Sequence, residues 1–174
     1  MPNVIASVPV SFDVPPFGGR WFRWSEVAEC FWPGRGGRAA LTNPGLAPVR
    51  FLGGVYCLAW SPEPPRVVGP RAVEVRYIGE SGEFQRRMGQ FGNSAGFFEG
   101  QRQDGHSAGW RWPLAQKEET WLSFFEVGRS LVPHLAEGLR YWMEAVALEE
   151  YRLLFGRLPE INKTTSELAA FKAE

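Results

Sequence analysis

Gly54-Val55-Tyr56-Cys57-Leu58-Ala59-Trp60 and, further along, Tyr77-Ile78-Gly79 decide how this chain is read. The first is an apolar and aromatic run opened by glycine and closed by the proline-rich turn at 61–70, which is the pattern of a buried strand. A second run at 72–78 has the same texture, and a connection holding several prolines predicts an antiparallel pair rather than a helical crossover. Alternation sets Tyr56 with Gly54, Leu58 and Trp60, and Tyr77 with Val73 and Val75.

Working outward, Ser81 is placed to cap a helix over 82–91, with Glu83 in its first turn. Phe84, Arg87, Met88 and Phe91 follow helical spacing and share a face, and Arg86 points the opposite way. Residues 92–118 form a long glycine-rich insertion without a clear period, ending in Trp110, Arg111 and Trp112. A third strand is predicted over 121–127 and a helix over 133–155, with a break allowed at Gly138 and an apolar stripe of Leu135, Leu139, Met143, Val146, Leu153 and Leu154. Residues 1–48 read as an extension rich in Trp, Gly and Pro with a short helix at 25–31 and a Gly/Arg loop at 33–38, and 164–174 as a tail. The domain proper is expected over 49–163.

The chain has 174 residues, 44% hydrophobic and 22% charged, the balance of one globular domain with a full core. Nineteen basic and nineteen acidic residues cancel, so total charge does not point to nucleic acid, although a local field is free to differ from the sum. Two cysteines, Cys30 and Cys57, make no disulfide framework. A reduced, cytoplasmic protein is expected. The opening residues lack a basic leader, and no apolar run approaches the ~20 residues of a membrane span, so no membrane partner is expected.

Two charged residues sit where apolar ones belong. Glu150 falls near the centre of the apolar stripe, whereas Glu149 lies at its edge. A carboxylate there calls for a cation, because a buried isolated charge is strongly disfavoured. Arg87 is the matching anomaly on the first helix. A structural Arg87–Glu150 pair and a catalytic site both satisfy this geometry. The tyrosines likewise read as packed core residues or as chemistry, and Trp110, Arg111 and Trp112 as stacking and phosphate contacts or as core.

Gly54-Val55-Tyr56 and Tyr77-Ile78-Gly79, in this order and followed by Arg87 eight residues after Gly79, resemble the two signature tripeptides of the GIY-YIG nucleases. Glu150, Leu153-Leu154, Pro159 and Asn162 are similar to the closing pattern of that family's domain in excision-repair incision subunits. The resemblance covers about 51–163. It implies an α/β chain of the α+β kind: a small central antiparallel sheet of about three strands flanked by helices, in agreement with the element order above.

The resemblance further implies a metal-dependent endonuclease that hydrolyses phosphodiester bonds, in DNA first, leaving a 5′-phosphate and a 3′-hydroxyl. Glu150 would hold one magnesium or manganese ion, Arg87 would neutralise phosphoryl oxygens, Tyr56 would act on the attacking water and Tyr77 would support it. Gly54, Gly79 and Asn162 would be supports. His106, Trp110, Arg111 and Trp112 are candidate substrate contacts in the insertion. The chain departs from the pattern in carrying Gln90 and Phe91 where some members have histidine, and Glu80 where a basic or neutral polar residue is common. The alternative is a fold kept for binding nucleic acid or protein without catalysis.

Overall fold

The computed structural model describes residues 20–28, 31, 53–98, 105–126 and 131–162. The 33–38 loop, Cys30 and the 164–174 tail lie outside them. Four strands make one antiparallel sheet: β1 (Phe22–Arg23), β2 (Gly54–Trp60), β3 (Val75–Ser81) and β4 (Thr120–Glu126), in the order β1-β4-β2-β3. The helices are α1 (Trp24–Val27), α2 (Phe84–Ala95), α3 (Ser107–Arg111) and α4 (Pro133–Phe155). This is an α+β fold with the three expected strands and one short edge strand, β1, contributed by the segment before residue 48.

Strand alternation divides the core into two layers. Tyr56, Leu58, Tyr77, Leu122 and Phe124 face Phe84, Met88 and Phe91 of α2, with Trp24 and Val27 from α1 and Trp112 beside them. Val55, Cys57, Ala59, Ile78, Trp121 and Phe125 face the other way, onto Ala147 and Tyr151 of α4. A register shift between Leu58 and Ala59 adds one residue to β3, because Leu58 pairs with Tyr77 and Ala59 with Val75. Val75 therefore turns to the α4 layer and does not share Tyr77's face, contrary to simple alternation.

Several boundaries move for local reasons. β3 starts at Val75 because Gly69–Arg71 form a 3-10 turn, with the Ala72 amide bonded to the Gly69 carbonyl. Ser81 ends β3 instead of capping α2; its Oγ accepts from the Glu83 amide at 3.0 Å, and Glu83 is the residue before the helix. The insertion is not shapeless: α2 runs on to Ala95 and stops at Gly96 with φ 74°, α3 follows, and a 3-10 turn at Leu114–Glu119 leads into β4.

α4 is a single piece through Gly138 and ends at Gly156, whose φ is 68°. Its buried row is Ala136, Ala147 and Tyr151, whereas Leu135, Leu153 and Leu154 of the expected stripe are 55%, 70% and 55% exposed. The helix turns this way because Ala147 lets its backbone approach the sheet and the Tyr151 hydroxyl donates to the carbonyls of Val75 and Val73, at 3.1 and 3.3 Å. The outer edge of β3 is closed by the chain after α4. Asn162 accepts from the Ile78 amide at 2.7 Å and donates to the Ile78 carbonyl at 2.6 Å, and the Ile161 amide donates to Arg76. Among the described residues, no helix is long and apolar enough to cross a membrane.

Candidate active site

The two tyrosines converge because of the sheet register. Tyr56 lies opposite Gly79 and Leu58 opposite Tyr77, so both phenols stand on one face, with ring centroids 5.9 Å apart. A Cβ at Gly79 would lie 2.7 Å from Tyr77 Cε1 and 2.8 Å from the Tyr56 hydroxyl, so only a hydrogen fits there. A Cβ at Gly54 would lie 1.9 Å from the Phe125 carbonyl oxygen. Both glycines therefore have a steric reason to be glycine, independent of any motif.

Arg87, one turn into α2, donates from Nε to the Tyr56 hydroxyl at 3.3 Å. Burial pulls its pKa down, but the two tyrosines and Glu80 outweigh that and raise it, so it stays a cation. His106 approaches the same hydroxyl, with Nε2 at 2.8 Å. The ring is held by its own backbone: the His106 amide donates to Ser94 Oγ at 2.7 Å and Nδ1 accepts from the Ala108 amide at 3.1 Å, capping α3. Burial first, then Arg87 and Arg111, push the imidazole down to about 3, so it is neutral near pH 7.

These positions correct three expectations. His106, 1% exposed, lies inside a buried network and not on the solvent face of the insertion. Trp112 is fully buried, donates to Thr120 Oγ1 at 2.9 Å and meets Trp60 and Phe91 edge-on; only Trp110 and Arg111 face solvent. Tyr56 is also fully buried, and burial raises its pKa well above the usual phenol value. Tyr77 keeps 8% exposure. Burial raises its pKa as well, while Arg87 and a hydrogen bond from Tyr56 pull it back.

The carboxylates are distributed differently from the sequence reading. Glu150 pairs with Arg71, Oε1 to Nε at 2.6 Å, in place of a pair with Arg87; its other oxygen is buried without a hydrogen-bond partner. It acts on Cys57, on the α4 side of the sheet, and so stands across the sheet from the tyrosine hydroxyls. Glu144 is the α4 carboxylate near Arg87 and Tyr77. Burial, then Glu80, raise it to about 7, against the opposing effects of Arg87 and the Glu80 amide. Glu80 in turn accepts from Arg140 Nε at 3.2 Å, whose guanidinium rests against Gly53 and Gly82. The sequence signal for Glu144 was the row Ala136, Arg140, Glu144, Ala147, Tyr151, in which small residues mark the packed face.

Beside Arg87 an open pocket of about 260 Å³ is lined by Glu80, Ser81, Gly82, Glu83, Arg86, Arg87 and Gln90. Among the described residues there is no group of three or more His, Cys, Asp or Glu side chains placed to hold a metal. Glu144 and Glu80 nevertheless suit a hard ion that keeps most of its water, because a carboxylate with so costly a charge beside a second carboxylate gains from a cation. No family model, curated protein or solved structure matches this chain.

Proposed function

We propose that this chain is a divalent-metal-dependent endonuclease acting on nucleic acid, DNA first, in the manner the GIY-YIG resemblance implies. The observation that carries the reading is the meeting of Tyr56, Tyr77 and Arg87, from β2, β3 and α2, beside Glu144 and an open pocket. Around that pocket Glu80, Glu83 and Glu144 cancel Arg86, Arg87 and Arg140. A polyanion gains nothing from a balanced field, and a divalent ion tips the balance positive.

In this reading Glu144 and Glu80 would hold the ion, which would supply charge stabilisation for a leaving oxygen. Arg87 receives the phosphoryl oxygens as a preformed fork of donors, and Tyr77 faces the attacking water. Tyr56 stays behind them and orients both. Cys57, a buried free thiol, accords with a cytoplasmic setting.

The test is incubation of the purified chain with supercoiled plasmid, linear duplex and branched DNA, with magnesium, manganese or chelator, followed by analysis of the new ends. Ion-dependent nicking that leaves 5′-phosphates, lost in Arg87→Lys, is the expected result. Nucleic-acid binding without cleavage under any ion would replace this reading with that of a non-catalytic binding module.

A further inference from the structure

We infer that His106 is a positioning residue: locked as the Nε2–H tautomer, it donates to the Tyr56 oxygen, turns the Tyr56 proton toward Tyr77, and so makes Tyr77 the reactive phenol. The inference deepens the proposed function and rests on it for its catalytic meaning. The donation from His106 to Tyr56 stands on the geometry alone.

Nδ1 of His106 accepts from the Ala108 amide at 3.1 Å, so Nδ1 carries no proton. A neutral imidazole must then hold its proton on Nε2, the atom 2.8 Å from the Tyr56 hydroxyl. Enclosure at 1% exposure, and the positive Arg87 and Arg111 nearby, keep the ring neutral. Tyr56 thus receives two donors, His106 Nε2–H and Arg87 Nε–H, the second at 3.3 Å. Two donors fill the acceptor positions of a phenol oxygen, and its own proton must point elsewhere.

The neighbour that remains for it is Tyr77, on the same face of the sheet with its ring centroid 5.9 Å away. A proton turned that way and the charge of Arg87 both favour the Tyr77 phenolate, while Glu144 opposes it. Tyr56 has the reverse situation, since the bond it donates to Tyr77 holds its proton in place. The direction of one hydrogen bond, set by a backbone amide in the insertion, separates two otherwise similar tyrosines into an orienting one and a reactive one.

The experiment is 15N NMR of histidine-labelled protein, with His134→Gln used to assign the only other histidine. His106 is expected to show a protonated Nε2 and an unprotonated Nδ1 from pH 8 down to about pH 4, below the ordinary histidine range. In parallel, ultraviolet titration of the parent minus Tyr77→Phe isolates the Tyr77 ionisation. His106→Phe should move its midpoint up by about one unit, and His106→Gln, which keeps an N–H donor, should restore it. If His106→Phe does not fold, the parent tautomer and the Gln variant still decide.

An Nδ1–H tautomer, a His106 that titrates near the ordinary value, or an unmoved Tyr77 midpoint in His106→Phe overturns the inference, even in a chain that cleaves DNA. The expected tautomer and midpoint shift in a chain that cleaves nothing overturn only the nuclease reading.

Discussion

Glu150 Oε1 lies 2.6 Å from Arg71 Nε, so the carboxylate that helix spacing and motif order both singled out is tied to the 3-10 turn before β3. The carboxylate beside Arg87 is Glu144. Glu144→Gln is therefore expected to lower ion-dependent cleavage by ~10²-fold or more, since the amide keeps the volume but loses the charge. Glu150→Gln breaks a pair whose arginine is 44% exposed, and should cost no more than about 1 kcal/mol and leave cleavage within a few-fold. Single-turnover rates and denaturant melts on both variants check this; a folded Glu150→Gln without activity would return the metal to Glu150.

Stability should depend on pH through half-buried Glu144 and buried His106, with opposite sign. Glu144 holds its proton more tightly folded than unfolded, so its contribution is present below about pH 4.5 and declines as pH rises to about 7. His106 holds its proton less tightly folded, so its contribution is present above about pH 6.5 and declines as pH falls toward 3. Glu144→Gln should accordingly raise Tm at pH 8 and change it little at pH 4. His106→Gln should flatten the acid limb. A Glu144→Gln curve parallel to the parent across this range would remove the buried-carboxyl account.

Gly79→Ala should destabilise the protein by roughly 1–3 kcal/mol, because the new methyl would meet both tyrosine rings at under 3 Å. Gly138→Ala is the matched control on α4, where a Cβ meets nothing within 4 Å; it should stabilise by about 0.5–1 kcal/mol through helix propensity. Equal effects in chemical denaturation would mean that the tyrosines are not packed against Gly79.

Arg87→Lys should fold and bind substrate yet lose ~10²-fold or more in turnover, because one ammonium cannot both hold the Tyr56 hydroxyl and offer a fork to phosphate. Arg86, exposed and paired with Glu83 at 3.5 Å, should tolerate lysine. Parental turnover in a folded Arg87→Lys chain would take Arg87 out of the site.

In the insertion, Trp110→Ala with Arg111→Ala should alter preference among duplex, branched and single-stranded substrates while the melt is unchanged, because both side chains face solvent. Trp112→Ala should cost about 3–5 kcal/mol, the usual penalty for emptying a buried tryptophan site. The same substrate panel and melts, run side by side, separate surface from core.

Much of this architecture was legible from local pattern. The 54–60 run, the helical spacing of Phe84, Met88 and Phe91, and the length of α4 come from periodicities that depend only on neighbouring residues. These determined the α+β class, whereas a shared site for Tyr56, Tyr77 and Arg87 was implied only by the GIY-YIG resemblance. What local pattern could not decide was the rotation of α4. Its longer apolar side chains outnumber the small ones, yet Ala147 and Tyr151 face the sheet, because close backbone approach and two hydrogen bonds, one to Val75 of β3 and one to Val73 just before it, outweigh the exposure of Leu153 and Leu154. That rotation places Glu144, and not Glu150, beside Arg87. Likewise, no spacing rule connects Tyr56 with His106, fifty residues apart; their contact exists because α3 packs on α2 and the Ala108 amide aims the ring. Local pattern along the chain specifies which elements form and which residue types are available for chemistry. Which of them meet follows from packing, since it depends on how closely two surfaces can approach.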